Sequence, residues 1–85
     1  MTLVSNTVTY GQPVEVVYTH SAVATIKFTI KTTNGVVVNE AVYRLERGTH
    51  VVPMSTTMMA RGRTYVVTTW DENTQDAGQQ TFYLQ

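Results

Sequence analysis

Cysteine is absent from this chain, which excludes a disulfide scaffold, a thiolate metal site and a cysteine nucleophile. Charge is scarce: 14% of the residues are charged, against about 25% in an ordinary soluble domain, and the net charge is zero. So balanced a chain lacks the basic patch that nucleic acid or an anionic membrane surface requires. Its weak self-repulsion also leaves association easy. No run approaches the ~20 apolar residues that cross a bilayer as a helix, so no membrane insertion is expected. The segment from Met1 to Asn6 has neither a basic nor a strongly apolar stretch and does not read as a signal peptide. Two readings stay open: a protein not exported by that route, or an excised domain with an added Met.

What the chain has instead is threonine and valine, 16 and 14 of its 85 residues. β-Branched side chains lose rotamer freedom in a helix and pack well on a pleated surface. The expectation is one all-β domain over residues 1–85, an immunoglobulin-like antiparallel sandwich of about seven short strands. Thr2 to Tyr10 reads as an edge strand, broken by Gly11-Gln12-Pro13. Val14 to His20 follows. Ala24 to Lys31 shows the clearest alternation, with Ile26, Phe28 and Ile30 against Thr25, Lys27, Thr29 and Lys31. Asn34-Gly35 signals a hairpin through two residues that accept positive φ. Val36 to Leu45 returns with a bend near Asn39. His50 to Met54 is marked as an edge or strand end by Pro53. Ser55 to Arg61 reads as a crossover carrying Met58 or Met59 into the core. Tyr65 to Trp70 and Gln79 to Leu84 complete the sheet around a polar loop from Asp71 to Gly78.

This order of features resembles β-sandwich sorting and assembly modules of bacterial surface proteins. The nearest likeness is to the C-terminal sorting domain of the type IX (Por) secretion system. Small secreted Bacteroides sandwiches and the immunoglobulin-like part of the flagellar hook-capping protein are similar. The strand Ala24 to Lys31 running into Thr32-Thr33-Asn34-Gly35 carries the likeness, as do Gly48-Thr49-His50-Val51-Val52-Pro53-Met54, then Met59 to Val67, and the closing Thr81-Phe82-Tyr83-Leu84. The resemblance implies a non-enzymatic module at the cell surface or outside the cell, engaged with a protein partner.

No catalytic constellation stands out. His20 and His50 fall short of the three or four converging ligands of a zinc site and read as strand-end polar residues. Asp71-Glu72-Asn73-Thr74-Gln75-Asp76 lacks the EF-hand spacing and reads as a solvated hairpin tip. Ser5, Ser21 and Ser55 sit in no nucleophile-elbow context. Arg44, Arg47, Arg61 and Arg63 flank two turns, with Glu40 and Glu46 near enough for surface pairing worth about 0–1 kcal/mol. No cofactor is expected. Trp70, Tyr65, Phe28 and Phe82 read as core or sheet-face aromatics.

The partner-binding candidates are therefore Thr2, Val4, Val8 and Tyr10 on the first strand, with Tyr18, Tyr43 and Tyr83 as aromatic anchors. Strand addition to the first strand predicts that proline at Val8 abolishes assembly and spares the fold. A protein partner or self-assembly is expected. A phage virion protein, either capsid decoration or tail-associated, is the main alternative, motivated by the Met1 start and low charge. A glycan-binding module using exposed tyrosines is the other.

Overall fold

The computed structural model describes residues 1–85. It contains no helix. Eight strands form two sheets: β1 (Thr2–Leu3), β2 (Thr7–Val8), β3 (Val14–His20), β4 (Ala24–Thr32), β5 (Val37–Leu45), β6 (Gly48–Met54), β7 (Arg63–Asp71) and β8 (Ala77–Leu84). One sheet has the order β1-β3-β6 and the other β2-β8-β7-β4-β5. Side chains from both meet in a single core. Val14, Val16 and Tyr18 of β3 and Val52 and Met54 of β6 pack with Ile26, Phe28 and Ile30 of β4, Val67 of β7, and Phe82 and Leu84 of β8. The Tyr18 ring stands edge-on to Phe28 across the two layers, with centroids 5.9 Å apart.

The segment Thr2 to Tyr10 is not one strand, which corrects the sequence expectation and raises the count from seven to eight. Leu3 packs against the core and Val8 lies within it. Residues five apart in one strand point to opposite faces. The chain resolves the conflict by changing sheets, because the inward direction turns over between facing layers. Thr2 and Leu3 pair antiparallel with Val17 and Val16 of β3. Thr7 and Val8 run parallel to Tyr83 and Leu84 of β8. Between them Ser5 makes the corner: its Oγ donates to the Thr7 carbonyl at 2.9 Å and accepts from the Thr7 N–H at 3.2 Å. Val8 is 7% exposed, so proline there is expected to disturb the core rather than spare the fold, and no long free edge exists at this end of the chain.

The β4–β5 hairpin turns through Thr33, Asn34 and Gly35. Thr32 N–H donates to the Val36 carbonyl at 2.8 Å, and Gly35 N–H to the Thr32 carbonyl at 3.0 Å. The expected hairpin forms, with Gly35 at φ +88° and Asn34 at negative φ, so only one of the two residues that accept positive φ uses it. The bend expected near Asn39 is a β-bulge. Ile30 faces Asn39 while Lys31 faces Val37, leaving Val38 as the extra residue. Pro53 does lie on a sheet edge, since β6 has only β3 as neighbour.

The crossover from β6 to β7 is irregular and pinned from both sides. Thr56 is buried and its hydroxyl donates to the Gln12 carbonyl at 2.8 Å. Met59 enters the core and Met58 is 88% exposed. Tyr65, near the start of β7, reaches back to Ala60. Its hydroxyl accepts from the Ala60 N–H at 2.9 Å and donates to the Ala60 carbonyl at 3.0 Å. Its ring stacks on Phe82 with centroids 5.8 Å apart.

Candidate functional site

Three places on the molecule present chemistry to solvent. The first is a cleft of about 450 Å³ at the end where the β3–β4 and β7–β8 loops meet, lined by Tyr18, His20, Asp71, Asn73, Thr74 and Asp76 among others. Asp71 is buried and organises the β7–β8 loop. Its carboxylate accepts from the backbone N–H groups of Asn73 at 2.8 Å and Thr74 at 3.1 Å. The loop then clamps β4: the Glu72 N–H donates to the Thr25 carbonyl, and the Asn73 side chain accepts from the Thr25 N–H. The Asp71 carboxylate thus serves the internal architecture of the loop. Thr74 also donates its hydroxyl to Asp76 at 3.2 Å.

Burial by itself would raise the Asp71 pKa. The bonds from Thr74 and Asn73, with the nearby His20, outweigh it and hold the carboxyl below its ordinary 3.8. The Tyr18 hydroxyl is pushed up, first by burial and then by Asp71 and Asp76. A carboxyl lowered on folding contributes stability that is complete above pH 3.8 and is lost as pH falls through its folded value. Acid titration of the melting temperature should therefore show a drop below that pH, and Asp71→Asn should flatten it. An unchanged acid limb in Asp71→Asn would assign the drop elsewhere.

His20 lines the same cleft with both ring nitrogens buried and unpaired. Its ring lies between Tyr18, 5.5 Å away, and His50, 5.7 Å away. The His50 Nε2 is engaged by the Glu46 carbonyl at 2.7 Å. No group of three or more His, Cys, Asp or Glu converges in a way that could hold a metal ion.

The second place is the outer face of the five-stranded sheet. A shallow groove of about 650 Å³ there runs past Lys27, Glu40, Thr68, Trp70 and Gln79. Trp70 is a sheet-face residue, 40% exposed, opposite Lys27 on β4 and Ala77 on β8. Lys27 and Glu40 form an ion pair at 3.4 Å. None of the four arginines near the turns forms an ion pair. Arg61 lies over the Tyr10 ring, 5.8 Å from its centroid.

The third is the edge strand β5. It is the long open border of its sheet, and Val37, Val42 and Tyr43 are exposed along it.

The structure scatters the sequence-derived contact residues. Val8 and Tyr18 are in the core, so their side chains leave the candidate surface. Thr2 and Val4 are exposed beside β3, while Tyr10 bonds the Thr57 carbonyl at 2.9 Å. Tyr83 and Tyr43 sit on strands separated by β7 and β4. Only Tyr43 belongs to the exposed apolar strip of β5. The remainder of that strip was missed because strand order within a sheet is not written in strand alternation. A scan of family models, a search of curated proteins and a search of solved structures find no match to this chain.

Proposed function

We propose that this chain is a non-enzymatic, immunoglobulin-like structural and interaction module of a bacterial surface or secretion pathway, acting through its sheet edges and loops. The immunoglobulin-like reading is supported by three features together. The first strand divides between the two sheets, its second half runs parallel to the last strand, and Tyr65 bonds the backbone upstream of β7 in the manner of a tyrosine corner. The observation that carries the functional reading is the distribution of exposed apolar side chains. Val37, Val42 and Tyr43 on β5 and Trp70 on the adjoining outer face remain in water, while the Asp71 carboxylate is taken up by backbone bonds of its own loop. Exposed aromatic and aliphatic groups at a sheet border and on its face are of the kind a protein interface uses as anchors.

Photo-crosslinking residues placed at Val42, Trp70 and, as a control, Thr57 test the reading in the source cells. Protein adducts concentrated at Val42 and Trp70 are expected. Equal yields at Thr57 would sink it. An adduct with envelope or export components fits the surface module, and one with capsid or tail proteins moves the virion alternative forward.

One observation favours a second reading, a glycan-binding module: Trp70 lies in a groove among Lys27, Thr68 and Gln79, an apolar plane ringed by hydrogen-bonding groups. Oligosaccharides that leave Trp70 fluorescence unchanged would dismiss it.

A further inference from the structure

Of the four sheet borders, β1 and β2 are two residues long and β6 contains Pro53, all devices that discourage strand addition. β5 has nine residues with no proline, lysine or glycine. From these observations we infer that β5 pairs antiparallel with β5 of a second copy, joining two five-stranded sheets into one about a two-fold axis at Val42. This rests on the reading of the chain as a module that works through its sheet edges.

The backbone sets which groups are free. Thr25 has its N–H and its carbonyl both bound by the β7–β8 loop, so it turns away from β5. Its partner across the ladder is Arg44. In an antiparallel pair such a position exchanges no backbone bonds, and the N–H and carbonyl of Arg44 therefore face the open edge. By alternation the same holds for Val42 and Glu40. The bulge at Val38 ends the regular stretch on one side and Leu45 ends it on the other. The straight segment Asn39–Leu45 has Val42 at its centre.

Antiparallel pairing about that centre places Val42 against its own copy and Glu40 against Arg44 of the second copy, twice by symmetry. Each of these pairs can exchange two backbone bonds. Glu40 and Arg44 share the outer face with Lys27, to which one carboxylate oxygen of Glu40 is already bound at 3.4 Å. Arg44 has no ion-pair partner in its own chain. On the inner face Tyr43, packed edge-on against Phe28 at 5.8 Å, meets Ala41 of the second copy and covers the flank of its core. Opposite charges facing across strands select this register over a shift by one pair. The shape is isologous and closes at two copies.

Sedimentation equilibrium over concentrations up to about 1 mM tests the pairing. The mass should rise from 9.5 kDa to twice that value. Arg44→Glu sets like charges face to face and should weaken association at least about tenfold. Adding Glu40→Arg to it should restore the dimer. Mixing the Arg44→Glu and Glu40→Arg chains should give a heterodimer where neither associates alone. Val42→Pro removes an N–H aimed at the open edge and should give a monomer whose thermal unfolding, followed by Trp70 fluorescence, stays cooperative. Should that variant fail to fold, the charge variants decide. A wild type of 9.5 kDa throughout, or an oligomer indifferent to Arg44→Glu, overturns the pairing. Either result leaves the cross-linking test of a foreign protein partner standing.

Discussion

Val8→Pro is expected to cost the protein a large share of its stability. Val8 is a core residue on β2, and its carbonyl accepts from the Gln85 N–H at 2.8 Å. The Asn6 carbonyl likewise accepts from Tyr83 at 2.8 Å. In a parallel ladder a residue whose carbonyl accepts from the facing strand also donates its own N–H to that strand, so proline at Val8 removes that donor and strands a carbonyl of β8. Loss of the bond, the misfit of the ring and the lost packing together are worth roughly 3 kcal/mol or more. A chain of this length has roughly 4–13 kcal/mol in total. Urea unfolding read by Trp70 fluorescence should show a large fall in midpoint. Val8→Ala, which keeps the N–H, should fall less. A proline variant as stable as wild type would mean that β2 is not held against β8.

Tyr65→Phe should lower stability by about 1–3 kcal/mol, because one hydroxyl satisfies both the N–H and the carbonyl of Ala60 in a partly buried corner. For a domain of this size that corresponds to a melting temperature lower by roughly 5–20 °C. The ring still stacks on Phe82, so the variant isolates the hydroxyl from the packing. A calorimetric melting temperature within about 1 °C of wild type would show that water replaces the corner at no cost.

Most strands were legible because their alternation is a direct print of burial. Ile26, Phe28 and Ile30 alternate in the sequence and are each fully buried in the structure. The crossover at Ser55 to Arg61 was legible too, from its length and lack of alternation. Four features were not. The break inside Thr2 to Tyr10 has no proline or glycine to announce it. Its signal is the five-residue spacing between Leu3 and Val8, which no single face of a strand accommodates. Tyr65 looked like any core aromatic, since its ring is buried and only its hydroxyl does the second task. A free edge is expected from the sequence at the first strand, Thr2 to Tyr10, whereas the long open border lies at β5. Edge status depends on which strands come together from distant parts of the chain, and residues of β2, β7 and β8 far apart in sequence decide it. The positive φ confined to Gly35 belongs with these: Asn-Gly announced a hairpin correctly, but the loop length was set by Thr32, whose N–H, carbonyl and hydroxyl all bond within the turn.

The parallel seam between β2 and β8 also fixes how the molecule answers to mechanical load. Both strands run the same way, and the seam is tied by Tyr83 to Asn6, Gln85 to Val8 and Tyr10 to Gln85. Tension applied ahead of β2 and beyond β8 draws the two strands past each other lengthwise. The ties then share the force and yield together, as a lap joint does, where an antiparallel hairpin pulled at its open end would surrender its bonds one at a time. A module strung in series between larger bodies transmits pull along this seam.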